Sequence, residues 1–266
     1  RSVRLASGET LTIDTVVSPA ATITSIVDDT CATPPASCSF GSTSDRITRD
    51  QTLIISGTVE ANSLVTLMQS GGPAIPGGPV FPSVLADGSG TWTVDLTSVT
   101  LIDGSYSFTV TAVDRAGNMS TTSAASSVTV DTTTQVSTTP DLIDTDDTCA
   151  PQTSVAPAAC IRGSHTDNIT SKTTPTMTGR AEAGSRIDLF TNVAAFGFLG
   201  FVITGNDASD GVPGDGLGVW SFRVATSPGA ATGPLNSGMS ISVLYNVTAI
   251  ATDLAGNVSG VSNALA

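Results

Sequence analysis

The chain is poor in basic residues. It has one lysine, Lys172, and one histidine, His165, and its 10 Lys and Arg residues face 23 Asp and Glu, for a formal charge of −13. Binding of nucleic acid or of an anionic membrane surface needs clustered Lys and Arg to neutralise phosphates. The composition therefore argues against both partners. An acidic surface of this kind favours divalent cations instead.

Long apolar runs are also missing. No stretch of the sequence approaches the roughly 18 apolar residues that span a bilayer, so we expect no direct membrane insertion. The opening residues, RSVRLASGET, lack the apolar core of a signal peptide. We therefore expect a mature or excised segment.

The residues of common catalytic sites are scarce. A Ser-His-Asp triad would have to use His165, and no G-x-S-x-G elbow accompanies it. No P-loop or dinucleotide-binding fingerprint is present. Composition alone does not exclude a two-carboxylate glycosidase site, but such sites lie in aromatic-lined clefts and aromatics make up 5% of this chain. We expect a protein that is not an enzyme.

The sequence is an internal duplication. Six blocks recur in the same order, and each block of the first copy is followed here by its match in the second: LTIDTVV and VTVDTTT, VDDTCA and TDDTCA, FGSTSDRIT and RGSHTDNIT, ISGTVEANSLVTL and MTGRAEAGSRIDL, GTWTVDL and VWSFRV, YSFTVTAVDRAGNMS and YNVTAIATDLAGNVS. The second copy carries insertions near 191–218 and 225–239. A duplication of this length indicates two tandem domains.

Within each repeat the apolar residues alternate with Ser, Thr and Asp. A period of two predicts half-buried antiparallel strands, and the turn signals between the runs are spaced as in a β-sandwich. Trp92 and Trp220 occupy matching positions and are expected to fill the two cores. We predict an all-β chain with an N-terminal strand or linker at 1–17, domain 1 at 18–131 and domain 2 at 132–266.

The four cysteines form two local pairs at the same place in each repeat. Four cysteines allow three pairings, and zinc is an alternative, but neither pair has CxxC spacing and the chain has one histidine. We predict one disulfide per repeat, Cys31–Cys38 and Cys149–Cys160. Disulfides imply an oxidising compartment, which favours an extracellular or cell-surface location.

Three motifs carry a family resemblance. The elements T-x-x-G-x-A/V-E-A-x-S, A-x-D-x-A-G-N-x-S and V-T-V-D-T-T together resemble the bacterial immunoglobulin-like repeats of giant surface adhesins and biofilm-associated proteins. The resemblance covers nearly the whole chain and implies two tandem immunoglobulin-like β-sandwich domains. It also implies a rod-like stalk, often stiffened by calcium between domains. The cysteine pairs and the greater repeat length depart from the family's usual pattern.

Acidic residues are expected to converge where adjoining domains meet. Calcium takes six to eight oxygen ligands, many from carboxylates, and would turn their mutual repulsion into a cross-link. The Ig-like topology places one candidate set at the junction of domains 1 and 2: Asp28, Asp29, Asp45, Asp131, Glu182 and Asp253. The alternative is that Asp114 and Asp253 cap their turns. The insertion NDASDGVPGDG, with Asp207, Asp210 and Asp215, is a separate calcium candidate or a solvated turn.

The ends of the chain suggest assembly. Domain 2 is predicted to lack its last strand, and residues 11–16, LTIDTV, look like such a strand with no domain of their own to complete. We predict that copies join head to tail, with this strand filling the gap in the next copy. This would repeat the calcium junction with a second set: Asp14, Glu60 and Asp114 of one copy and Asp146, Asp147 and Asp167 of the next. A cut from a longer repeat array would leave the same offset.

A second functional class is kept open by one apolar segment. Residues 194–205, AAFGFLGFVITG, have no counterpart in repeat one. The segment could bind a host or matrix ligand, such as a receptor or a glycan, or could form an extra hairpin on the sandwich. The sequence therefore predicts a structural stalk or filament subunit first, joined to copies of itself or to adjoining Ig-like repeats, and a ligand-binding module second.

Overall fold

The computed structural model describes residues 12–27, 30, 38, 40–148, 150–151, 160–162, 166–193, 197–225, 227, 229–230 and 244–265. Its contacts divide the chain into two compact units. Unit 1 comprises Arg1–Thr30 and Ser42–Thr132, and unit 2 comprises Cys31–Gly41 and Thr133–Ala266. All regular structure in the described part is β-strand, which confirms the predicted all-β class. No helix long and apolar enough to cross a membrane occurs among these residues.

Unit 1 is built from two sheets whose strands carry alternating buried and exposed side chains. The smaller sheet has the order β1-β3-β6 and the larger has the order β2-β8-β7-β4-β5. The strands are β1 (Thr22–Val27), β2 (Ile47–Thr48), β3 (Ile54–Thr58), β4 (Leu64–Gly71), β5 (Val84–Leu85), β6 (Thr91–Asp95), β7 (Gly104–Val113) and β8 (Ser126–Val130). Neighbours pair antiparallel, except that β2 and β8 run parallel.

The core of unit 1 lies between the inner faces of these sheets. Trp92, Tyr106 and Phe108 are its largest fully buried side chains, and Trp92 stands opposite Gly57 across the β3–β6 pair. The Tyr106 hydroxyl donates a hydrogen bond to the backbone oxygen of Ile102 at 2.8 Å. The prediction that Trp92 fills a core is confirmed.

Unit 2 repeats this plan with different strand lengths. One sheet has the order β15-β12-β9, a second has the order β16-β14-β13-β17, and β10 pairs with β11. The strands are β9 (Asp141–Leu142), β10 (Ala150–Pro151), β11 (Cys160–Arg162), β12 (Thr176–Glu182), β13 (Arg186–Thr191), β14 (Phe198–Ile203), β15 (Leu217–Arg223), β16 (Gly229–Ala230) and β17 (Val247–Thr252). Trp220 is 1% exposed and stands opposite Gly179, as Trp92 does opposite Gly57.

The insertions of repeat two add structure that unit 1 does not have. Strand β14 pairs with β13 along Arg186–Phe190. The corresponding strands of unit 1, β4 and β5, pair along only two residues. Leu199 of β14 is fully buried, and Phe198, Phe201 and Ile203 are exposed. Residues 198–203 of the apolar segment thus form a longer counterpart of β5, and its exposed side chains include two aromatic rings.

Candidate metal-binding residues and their surroundings

Each unit has a turn in which an aspartate is held by its own backbone. In unit 1 the turn follows β7. Asp114 Oδ1 accepts the N–H groups of Ala116 and Asn118, both at 2.8 Å, and Oδ2 accepts Asn118 Nδ2 at 2.8 Å. The Asn118 side-chain amide is the main cause that lowers the pKa of Asp114 below its ordinary value. The carboxylate is therefore ionised at neutral pH.

The turn after β17 in unit 2 has the same construction. Asp253 Oδ1 accepts the Asn257 N–H at 2.8 Å and Oδ2 accepts Asn257 Nδ2 at 2.7 Å. Asp253 is 2% exposed. Both aspartates thus cap their turns, as the alternative interpretation of the sequence expected. A capped carboxylate still has lone pairs to offer a cation, because each oxygen accepts more than one contact.

Glu182 lies beside this turn in unit 2. It is the last residue of β12, and one of its carboxylate oxygens lies within 4.8 Å of one from Asp253. Two carboxylates at this spacing can bind the same divalent cation. Their counterparts in unit 1 are Glu60 and Asp114.

Each unit has a serine opposite its turn aspartate, and this serine was not among the predicted ligands. Arg186 pairs with Thr252, so the next residue pair places Ser185 opposite Asp253. The same step from the pair of Leu64 and Val113 places Ser63 opposite Asp114. Both serines are buried, and their hydroxyls have no hydrogen-bond partner among the described residues. The signal was present in the sequence, because Ser closes the repeated E-A-x-S motif.

The N-terminal linker of unit 1 contacts the turn after β7. Asn118 Nδ2 donates a hydrogen bond to the backbone oxygen of Asp14 at 3.3 Å, and Asp14 Oδ1 accepts the Val16 N–H at 3.0 Å. Asp131 is the repeat counterpart of Asp14 and lies one residue before the end of unit 1. Its backbone N–H donates to the Thr48 oxygen at 2.8 Å.

The remaining candidates in unit 2 have partners of their own. Asp146 accepts hydrogen bonds from Lys172 Nζ and from the Thr176 N–H. Burial raises the pKa of Asp146, but these two donors outweigh it and leave the pKa below its ordinary value. Asp147, 1% exposed, accepts the Asn168 N–H at 3.0 Å. Lys172 thus supplies a positive charge where a calcium ligand set was predicted.

Two further candidates sit in short turns, and two are not described. Asp45 accepts the Ile47 N–H at 3.0 Å, and Asp167 accepts the Ile169 N–H at 3.2 Å. Asp28 and Asp29 lie outside the described residues. Among the described candidates, the geometry brings Glu182 and Asp253 together most directly.

The acidic insertion of unit 2 is closed by internal hydrogen bonds. Asp207 accepts the N–H groups of Gly214 and Gly216, both at 2.5 Å. Asp210 and Asp215 both accept hydrogen bonds from Arg180 Nη2. Backbone donation from Val212, ahead of the Arg180 contact, lowers the pKa of Asp210. Each of the three carboxylates thus has N–H donors as partners, and Arg180 supplies a positive charge beside two of them.

The predicted disulfides fall mostly outside the described part of the chain. Cys38 is disulfide-bonded. Cys31 and Cys149 lie outside them, as does His165. Cys160 begins β11. The pairings Cys31–Cys38 and Cys149–Cys160 stay predictions.

The family model of the bacterial Ig-like domain matches residues 26–132. Repeat one is thus similar to this domain. The duplicated motifs and the matching Trp–Gly pairs indicate that repeat two has the same origin. No curated protein matches the chain.

The solved structures to which the chain is similar include repeats of surface proteins. The chain is similar to a BSP domain of a biofilm-associated protein (15% identity, TM-score 0.25, 82% of this chain and 28% of that one). It is also similar to a tetra-tandem repeat from the extending region of a large adhesion protein (19%, TM-score 0.28, 81% and 45%). A third is the human OSCAR ligand-binding domain (14%, TM-score 0.34, 85% and 95%). The chain thus spans less than half the length of the first two.

Proposed function

We propose that this chain is an extracellular stalk or filament module of a bacterial surface adhesin or pilus-like fibre, and that calcium stiffens its linkers. The bacterial Ig-like fold and the tandem duplication support the structural role. The observation that carries the calcium proposal is the carboxylate pair of Glu182 and Asp253 within 4.8 Å. The linker aspartate, Asp131, would complete the site.

Three features of the described residues support this ligand set. The turn aspartate is fixed in position in both units, because the neighbouring Asn donates to it. The linker of repeat one contacts its turn through Asp14, which is the arrangement that Asp131 would have in repeat two. In each unit, a buried serine hydroxyl belongs to the residue that stands opposite the turn aspartate on the neighbouring strand. A cation bound by linker and turn together would resist bending of the linker, since bending would pull its ligands apart.

The test compares calcium and chelator in the wild type and in Glu182→Gln, which removes the charge and keeps the shape. Calcium at about 100 times its Kd would stabilise the folded protein by about 2.7 kcal/mol. We expect a rise in the thermal midpoint and a narrower range of bending in solution scattering for the wild type, and neither for the variant. Asp141→Asn, on exposed β9, is the matched control. Equal melting and scattering with and without calcium would contradict the proposal.

Assembly is part of the proposed function. Adjoining Ig-like repeats or further copies of the chain would extend the stalk in a line, through strand addition at unit 2. The same head-to-tail contact would bring Asp14, Glu60 and Asp114 against Asp146, Asp147 and Asp167 of a neighbour. Lys172 already binds Asp146, so calcium at that contact would draw mainly on the first three residues.

A ligand-binding role is the second candidate, and the outer face of β14 favours it. Phe198 and Phe201 are 38% and 36% exposed. The Arg186 guanidinium lies 4.2 Å from the Phe201 ring centre and donates to Asp188. Exposed rings beside paired polar groups suit stacking and hydrogen bonding to a sugar. A glycan array compared between the wild type and Phe201→Ser would decide this role, and equal or absent signals would reject it.

A further inference from the structure

One end of the unit 2 core is lined by polar side chains. Ile187 and Ala251 stand opposite each other across β13 and β17, and both are fully buried. Two residues further along the same pairing, Ser185 stands opposite Asp253, and both share the inward face because side chains alternate along a strand. Ser185 is 1% exposed and Asp253 is 2% exposed. Both side chains therefore point toward the interior between the sheets, at its end.

Glu182 reaches the same place from the other sheet. It is the last residue of β12, and one of its carboxylate oxygens lies within 4.8 Å of one from Asp253. Ser185 follows Glu182 in the turn between β12 and β13, where the Ser185 N–H donates to the Glu182 backbone oxygen at 3.1 Å. Two carboxylates and one hydroxyl are thus gathered at this end of the core, and they come from three different segments of the chain.

The turn is held without the Ser185 hydroxyl. The Thr204 N–H donates to the Ser185 backbone oxygen at 2.9 Å, and the Thr204 hydroxyl donates to the Glu182 backbone oxygen at 2.7 Å. The Ser185 hydroxyl itself has no hydrogen-bond partner among the described residues. A buried hydroxyl in this state lowers the stability of the folded protein, because it has lost its hydrogen bonds to water. Ser63 repeats the feature in unit 1.

A calcium ion at this end of the core would give the Ser185 hydroxyl a partner. Calcium binds oxygen ligands at about 2.3–2.6 Å, so two of its ligands lie no more than about 5 Å apart. The Glu182 and Asp253 oxygens meet this limit. Residues that stand opposite each other on paired strands have Cβ atoms about 5 Å apart, which brings Ser185 Oγ within reach of an ion on the Asp253 carboxylate. The hydroxyl would supply a neutral oxygen.

The burial of these ligands favours calcium over magnesium. An ion that touches both Ser185 and Asp253 must give up its water on that side, since neither residue is more than 2% exposed. Magnesium sheds water reluctantly and demands near-ideal octahedral geometry, whereas calcium accepts irregular sets of six to eight oxygens. Ligands whose positions are fixed by the ends of paired strands therefore suit calcium.

We propose that the Ser185 hydroxyl is a direct ligand of the cation held by Glu182 and Asp253, and that it makes the site selective for calcium over magnesium. This inference rests on the proposed function and adds a ligand and a selectivity to its site. The hydroxyl keeps its proton and offers a lone pair to the ion. Without calcium, the same hydroxyl is a buried polar group that destabilises unit 2.

The test removes the hydroxyl in the full chain and measures the binding of calcium chloride and of magnesium chloride by titration calorimetry. Ser185→Ala is expected to weaken calcium binding about tenfold and to leave magnesium binding unchanged. In the presence of chelator, the same substitution should raise the melting temperature, because it removes an unpartnered buried group. Ser63→Ala is the matched control in unit 1. It should raise the melting temperature in the same way and leave calcium binding at the Glu182 site unchanged.

Glu182→Gln identifies the site in the titration, since the heat that this substitution abolishes belongs to it. Equal calcium affinity of the wild type and Ser185→Ala would overturn the inference and leave the proposed function standing, provided that Glu182→Gln still removes the binding. Equal losses of calcium and magnesium affinity in Ser185→Ala would also overturn it, because the hydroxyl would then set only the shape of the site. A wild type that binds no calcium would overturn both the inference and the calcium part of the proposed function.

Discussion

Glycine and tryptophan face each other across the same strand pair in both units. A Cβ atom at Gly57 would lie 1.7 Å from the Thr22 backbone oxygen and 2.6 Å from the Trp92 ring. At Gly179 it would lie 2.4 Å from the Trp220 ring. The indole therefore lies flat over a backbone with no side chain. In each repeat the glycine and the tryptophan therefore pack as a pair, and a substitution of either residue disturbs the packing of both.

We expect Gly57→Ala to destabilise unit 1 by about 3 kcal/mol, because the new methyl group meets backbone as well as the ring. Gly71→Ala, in β4 of the other sheet, is the control, since its Cβ would meet only the Ser107 Cβ at an ordinary 3.5 Å. Denaturant unfolding followed by tryptophan fluorescence measures both. Equal midpoints for the two variants would show that the ring moves aside without cost.

At the scale of elements, repeat two has gained an acidic loop together with the arginine that holds it. Arg180 stands where repeat one has Thr58, and repeat one has no counterpart of the insertion. The Asp210 side chain is 1% exposed and pairs with Arg180, whose own side chain is 40% exposed. The Arg180 guanidinium thus neutralises the carboxylates of this loop, which is the role of a metal ion in other acidic loops.

We expect Arg180→Leu to loosen the loop between Thr204 and Leu217. The substitution leaves Asp210 without its counter-charge and so removes the contact that ties the loop to β12. Limited proteolysis should then cut inside the loop, while β12 and β15 stay protected. Arg223→Leu at the end of β15 is the control. An unchanged cleavage pattern, or calcium-dependent protection of the wild-type loop, would speak against the arginine as its cation.

The strands were predictable from the sequence because every second residue in them is apolar, and these apolar residues are the ones that are buried. Trp92 and Trp220 followed from the same pattern. Short pairings such as β2 with β8 were not predictable, since two residues carry no period and their partner is far away in sequence. The contacts of the acidic insertion were not predictable either. Its composition fits a calcium loop, and only the fold shows that Arg180 reaches it.

The site was predictable in part. Glu182 and Asp253 were found because both belong to duplicated motifs at strand ends, where the topology brings turns together. Ser63 and Ser185 were missed, since a serine in a turn usually signals only the turn. The occupation of Asp146 by Lys172 was also missed, because the counterpart of Lys172 in repeat one is Asp50.

At the scale of the whole molecule, the net negative charge affects how neighbouring domains interact. A charge of −13 spread over 266 residues keeps neighbouring modules apart unless cations bind between their carboxylates. One lysine and one histidine leave little other means of neutralisation. We therefore expect the stiffness of a tandem array of such domains to follow the calcium concentration outside the cell.

The position of β8 between two partners also has a mechanical consequence. Tension applied to the chain after Val130 would pull on unit 1 along the axis of its last strand, because β8 ends at that residue. Its hydrogen bonds to β7 and β2 lie across that axis, so the load reaches all of them at once instead of opening them one after another. Rupture then requires a shearing step of the whole strand.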